Sequence, residues 1–172
     1  MMIFVIKFIR RNKWHKLLSH IIRSQEIQKK MAECIAEGIK PTEGMEVILK
    51  KVEDTVIEDM LNSDVIIFGC PTYFGVMTAG LKELMDKSVK YFGKLNGKIG
   101  GAFTSSGAIG GGNETTILSI IQGFLIHGMI IQGFQKGNHY GPVSIGAPDE
   151  AVKEECVRYG KMLGDLSVKI SK

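Results

Sequence analysis

The 172-residue chain has no stretch of 18 or more uncharged apolar residues, so no membrane-spanning helix is expected. Cysteine is scarce. Cys34, Cys70 and Cys156 are odd in number and form no Cys-x-x-Cys pair. A disulfide-stapled secreted fold is thereby excluded, and a reducing, cytoplasmic setting is expected. No His, Cys, Asp and Glu residues have the spacing of a metal site, so no metal is expected. The Gly-x-Ser-x-Gly elbow of hydrolases and the Gly-Lys-Ser/Thr phosphate loop of nucleotide triphosphatases are both missing. Proline is low at 4, and the 21 glycines follow no three-residue period, which removes collagen-like structure.

Acidic residues are absent from positions 1–23, which carry six basic ones (Lys7, Arg10, Arg11, Lys13, Lys16, Arg23). The whole chain has a formal charge of +4, yet residues 24–172 hold 16 basic and 18 acidic residues, a net of −2. The basicity is therefore that of the N-terminus, and a nucleic-acid partner is disfavoured for want of a basic face elsewhere. The apolar run 2–9 precedes the basic run 10–16, the reverse of a secretory signal, and the segment is not serine-rich in the manner of a mitochondrial presequence. The expected division is a basic N-terminal segment, 1–23, followed by one domain, 24–172.

The apolar fraction of 44% against 23% charged residues supports a sizeable core. Met31, Cys34, Ile35 and Ile39 share one helical face, and the helix stops at the turn Lys40–Gly44. Strands are expected at Glu46–Lys50, Asp64–Gly69, Lys98–Thr104 and Met129–Gln132. The run Asp64–Gly69 is continuously apolar, as in a strand buried on both faces. Helices are expected over Thr55–Asn62, 78–92, around Ile117–Leu125, and from Val152 to Leu166. Alternating helices and short buried strands imply an α/β fold, a three-layer α/β/α sandwich on a parallel sheet of about five strands. Ligands of such sheets sit where strands turn into helices at the carboxyl edge.

Two of those edges stand out. Gly69-Cys70 runs into Pro71, Thr72, Tyr73, Phe74 and Gly75, where two adjacent rings offer a flat apolar wall to a planar heterocycle. The alternative is an ordinary turn with its aromatics in the core. After Thr104 come Ser105, Ser106, Gly107, Ala108, Ile109, Gly110, Gly111 and Gly112. Three successive glycines are entropically expensive unless backbone must approach something closely. The hydroxyls and loop N–H groups there lie ahead of a helix N-terminus, which suits electron-rich ligand atoms. The alternative is a loose loop capped by Asn113 or Thr115. Cys70 reads as a redox thiol or as packing, and packing is the commoner role of a strand-end cysteine. His127 reads as a helix-end histidine facing the dipole.

These stretches, PTYFGVMTAGLKELMD (71–86), GKIGGAFTSSGAIGGGNETT (97–116), HGMII (127–131) and HYGPVSIGAPDE (139–150), resemble the flavodoxin-like superfamily. They look most like NAD(P)H:quinone oxidoreductases of the tryptophan-repressor-binding-protein (WrbA) type, over residues 29–169. The resemblance implies a flavodoxin-like sheet order and FMN at the carboxyl edge. Pro71 to Gly75 would lie beside the isoalloxazine ring and Ser105 to Gly112 around its pyrimidine edge and ribityl side. His139 and Tyr140 would line the substrate side, and His127 would reach the flavin if it is not simply a helix-end residue. It further implies an FMN-dependent oxidoreductase passing electrons from NAD(P)H to a quinone-type acceptor, and a homodimer or homotetramer. No side chain is assigned a catalytic role. An electron-carrying flavodoxin and a flavodoxin-like binding module without FMN are the alternatives.

The chain departs from the family ahead of the first matching helix. The usual Ser/Thr-rich phosphate loop, S-x-T-G-N-T, is replaced by Arg23-Ser24-Gln25-Glu26-Ile27-Gln28. Only Ser24, Gln25 and Gln28 are donors there, and Glu26 would repel a phosphate. By register the first strand is Leu17–Ile22; by composition Ile3–Ile9 is the better strand. Two explanations are open: the loop is truly lost, leaving weak or absent FMN binding, or residues 1–28 derive from a shifted reading frame or misplaced start, which the abrupt change at this boundary favours. A neighbouring frame of the coding DNA would then encode a strand followed by a Ser/Thr/Gly loop.

Overall fold

The computed structural model describes residues 16–21, 25–42 and 44–170. The first strand, β1, is Lys16–Ile21, where the register reading puts it; the run Ile3–Ile9 and Ser24 lie outside the described residues. β1 pairs in parallel with β2 on one side and β3 on the other. The chain continues through α1 (Gln25–Ile39), β2 (Glu46–Lys51), α2 (Ile57–Leu61), β3 (Val65–Pro71), α3 (Ala79–Lys87), β4 (Ile99–Ser106) and α4 (Asn113–Ile126). It ends with β5 (Ile130–Ile131), β6 (Val143–Ile145) and α5 (Glu150–Ile170).

Among the described residues the named strands pair in parallel, and the sheet order is β2-β1-β3-β4-β5. β6, which the sequence did not announce, shares the outer edge of β4 with β5. β5 pairs with Ile99 and Gly100, and β6 pairs with Thr104 to Ser106. The fifth sheet position is thus one strand interrupted by a loop. In the gap the Ala102 N–H has no strand partner and donates to the Tyr159 hydroxyl at 3.0 Å instead. A buried amide must find some acceptor, and α5 supplies it.

The two-residue alternation of β3 builds the layers. Val65 and Ile67 face a core shared with α1 and α5 (Met31, Ile35, Ile39, Cys156, Tyr159, Leu163). Ile66, Phe68 and Cys70 face the opposite core with α3 and α4 (Leu81, Leu84, Ile117, Ile120, Phe124). Phe68 and Phe124 meet at 4.8 Å between ring centroids with a 44° tilt, a geometry worth about 0.5–1.5 kcal/mol beyond area burial. The expected helix 78–92 stops at Lys87. There the Ser88 hydroxyl donates to the Met85 carbonyl at 2.6 Å, and a short 3-10 turn, Ser88–Tyr91, follows. Such back-bonding competes with helical hydrogen bonds. At the other end of the chain, Asp149 accepts the Val152 N–H at 2.9 Å and starts α5 earlier than the apolar spacing shows.

Helices α1 and α5 cross on bare backbone. A Cβ at Gly160 would stand 2.0 Å from the Ile35 carbonyl oxygen, and one at Gly38 2.0 Å from that of Val157. Alanine has the better helix propensity by about 1 kcal/mol, but backbone cannot rotate aside, and overpacking costs about 1–3 kcal/mol or more. Gly160→Ala is therefore expected to lower the urea midpoint of unfolding. A raised midpoint would show that the two helices do not meet at this point.

Candidate functional site

Pro71 and Ser105 are register partners on β3 and β4, so the two singled-out segments leave the sheet side by side. Pro71, Ser105 and Ser106 were expected in the loops and instead close the strands, because the ladder runs on: the Thr72 N–H donates to the Ser105 carbonyl at 2.8 Å. Beyond the strands the loops converge. A Cβ on Gly112 would stand 2.7 Å from the Gly75 Cα, and one on Gly75 would be 3.1 Å from the Thr115 hydroxyl.

The first loop is a tight turn in which the Val76 N–H donates to the Tyr73 carbonyl at 3.2 Å. Both central residues have positive φ, +53° at Phe74 and +76° at Gly75, the sign pattern of a type I′ turn. Gly75 adopts this freely, whereas Phe74 carries strain of order 1–3 kcal/mol. The aromatics are not in the core: Tyr73 is 51% exposed, and Phe74 is fully exposed.

The second loop is backbone-rich and open. Gly107, Ala108, Ile109, Gly110 and Gly111 are all exposed, Ile109 at 91%. The loop turns on itself through Gly111 N–H to the Ala108 carbonyl at 3.2 Å. Gly112, at φ +92°, is the N-cap of α4 and carries no side-chain cap. Asn113 and Thr115 therefore do not cap the helix in the expected way. Asn113 Nδ2 donates to Ser106 Oγ at 3.0 Å, and Asn113 Oδ1 lies 3.1 Å from Thr72 Oγ1. Thr72 Oγ1 is also 3.1 Å from Thr104 Oγ1, whose proton goes to the Cys70 carbonyl at 2.6 Å. Thr72, Thr104, Asn113 and Ser106 thus link both strand ends and α4 beneath the loops. The sequence reading missed Asn113 in this role, although its place directly after the triple glycine was a signal.

Gln28, a candidate phosphate donor, is fully buried and donates instead to Ser105 Oγ at 2.6 Å; its Oε1 has no partner among the described residues. Glu26 lies exposed in the first turn of α1. His139 and Tyr140 are exposed on the segment before β6. With Glu114, Ile117, Asn138 and Val143 they line a cleft of about 190 Å³ one turn beyond Gly112.

Cys70 is a packing residue: burial pushes its thiol up to about 12, which leaves it protonated and unreactive at neutral pH. The described cysteines are all free thiols. Among the described residues no His, Cys, Asp and Glu cluster suits a metal ion, and no helix is long and apolar enough to cross a membrane. His127 caps the C-terminus of α4, at the opposite end of that helix from the glycine loop.

Residues 26–136 match the NADPH-dependent FMN reductase family. A flavodoxin of Aquifex aeolicus is 41% identical over 145 residues, covering 80% of this chain and 78% of that protein. An NAD(P)H dehydrogenase (quinone) of Archaeoglobus fulgidus is 32% identical over 169 residues, covering 78% of this chain and 86% of that protein. The crystal structure of the WrbA-like flavodoxin from Agrobacterium tumefaciens superposes with a TM-score of 0.69 at 22% identity, over 87% of this chain and 94% of that one. The chain belongs to the NADPH-dependent FMN reductase family and has the flavodoxin-like fold. It is an FMN-linked oxidoreductase.

His127 gives this region a pH dependence. Ser88 donates its only proton to Met85, so the 2.7 Å contact between Ser88 Oγ and His127 Nε2 needs an Nε2–H. Nδ1 then carries the lone pair, buried and without a partner among the described residues. Burial lowers the imidazole pKa from its ordinary 6.5. The unfolded chain therefore binds this proton more readily. The histidine's contribution to stability is full above 6.5 and is lost as pH falls toward the lowered folded value. The urea midpoint of the wild type is expected to drop more on acidification from about pH 7.5 to about 5 than that of His127→Gln. Equal drops would contradict this.

Proposed function

We propose that the chain holds FMN between the 71–75 and 105–112 loops and passes electrons from NAD(P)H to a small quinone-type acceptor. The observation that carries this reading is the meeting of Gly75 with Gly112 beside two outward-facing rings. Tyr73, Phe74 and Ile109 stand exposed on the two loops, and a planar heterocycle between them would cover these apolar groups. Strain at Phe74 is of the kind stored at ligand sites. The ring end of the site therefore fits FMN. At the phosphate end, Gln28 is committed to Ser105, and Ser24 lies outside the described residues.

When bound, FMN supplies hydride acceptance and electron release, chemistry that belongs to the cofactor itself. Tyr73 and Phe74 would exclude water from one side of the ring. The N–H groups of Gly107 to Gly112 and the N-terminus of α4 would face its electron-rich pyrimidine edge. The Thr72, Thr104, Asn113 and Ser106 network would hold both loops at fixed separation. His139 and Tyr140 would border the approach of nucleotide and acceptor. No side chain need act as nucleophile, acid or base.

A carrier reading, favoured by the 41% identity to a flavodoxin, differs in outcome. Protein reconstituted with FMN is expected to oxidise NADH or NADPH catalytically when menadione is supplied. FMN-loaded protein inert toward both nucleotides would favour the carrier, and protein that binds no FMN would leave a binding module. Gly112→Ala should weaken FMN binding about tenfold or more, equivalent to about 1.4 kcal/mol, because its Cβ would push against Gly75. Flavin fluorescence titration reads the affinity. Unchanged affinity in a variant that folds would contradict the slot between the loops.

A further inference from the structure

The loop between β5 and β6 is tied down by one buried carboxylate. Glu155, on the second turn of α5, is 8% exposed. Its Oε1 accepts from the Asn138 backbone N–H, and Asn138 Nδ2 reaches Oε1 at 3.1 Å and Oε2 at 3.0 Å. Among the described residues its hydrogen-bond partners all belong to Asn138. Burying a carboxylate on neutral donors is costly unless the donors are fixed in place, and an apolar side chain would pack there without that cost. The fit is close: a Cβ on Gly137 would stand 2.3 Å from Glu155 Oε1 and 2.5 Å from the Phe134 ring. Phe134 in turn packs against Tyr159, one turn along α5, at 5.2 Å between centroids with a 59° tilt. The loop closes on itself through the Phe134 N–H to the His139 carbonyl and the Gly141 N–H to the Asn138 carbonyl, both at 2.9 Å.

The residues immediately after Asn138 are His139 and Tyr140, which line the same cleft as Glu114 and Ile117. We infer that Glu155 is a positioning residue. Acting through Asn138, it holds His139 and Tyr140 as one wall of the path by which the acceptor reaches the flavin. This rests on the function proposed above. A loop held in place only a tenth of the time would raise the apparent KM about tenfold without altering the chemical step.

The test uses FMN-loaded protein, with menadione as acceptor and NAD(P)H as donor. Glu155→Gln sets an amide against the Asn138 amide. It is expected to raise KM for menadione about tenfold, with kcat within about twofold and FMN affinity unchanged. Asn138→Asp sets two carboxylates together and is expected to raise KM further. Combining the two restores complementary groups, with the introduced amide donating to the introduced carboxylate, and is expected to return KM close to the wild-type value. Hydrogen exchange of residues 134–141 should quicken in both single variants and slow again in the double one. The positioning role is overturned if exchange quickens while KM stays put, if FMN affinity falls as KM rises, or if the double variant folds and fails to recover KM. Wild-type protein that binds FMN yet oxidises no NAD(P)H overturns the functional reading and this role with it. A KM for menadione indifferent to Glu155→Gln, in protein that turns over NAD(P)H, overturns the positioning role alone.

Discussion

The structure depends on β3 and β4 ending in register at the carboxyl edge. Pro71 lies opposite Ser105, so both strands release their chains within one strand spacing, about 4.8 Å. Two loops leaving so close together need small residues where they touch. Gly75 and Gly112 meet that need, and both also occupy the left-handed region where a side chain would be strained. The outward turn of Tyr73 and Phe74 follows, because a turn with positive φ at both central positions reverses the chain without returning those rings to the core.

Polar satisfaction keeps this edge in one arrangement. Parallel strands end in unpaired amides and carbonyls, which water meets in an open loop but not beneath a covered one. Here Thr104 serves the Cys70 carbonyl, Asn113 joins Thr72 to Ser106, and the Gly146 N–H extends the ladder to the Ser106 carbonyl at 2.8 Å. The interruption between β5 and β6 is managed likewise, with the Tyr159 hydroxyl accepting from Ala102. The same α5 face also carries Glu155, so one helix completes the sheet and anchors the loop beside the cleft.

Much of this was legible in the residues. A continuous apolar run marked β3, which is covered on both faces, a Gly-containing run marked β4, and the Gly-rich and aromatic segments stood where parallel sheets bind ligands. β6 was not legible, since three residues between Pro142 and Gly146 have no periodicity to read. The early stop of α3 was hidden because a serine hydroxyl bonding back to Met85 looks, in sequence, like any polar helix position. Gln28 was read as a candidate donor to a phosphate. Its burial against Ser105 arises from the packing of α1 on the sheet, a contact across 77 residues that no local pattern encodes. The Asn138–Glu155 tie is invisible for the same reason.

The central claim is that the two loops form one slot for the flavin ring. The most direct measurement follows the backbone amide resonances of nitrogen-15-labelled protein as FMN is added. The account predicts large shifts at Tyr73 to Gly75 and at Gly107 to Gly112, with smaller ones at Asn113 and Thr72. Shifts concentrated elsewhere, or in only one of the two loops, would contradict it.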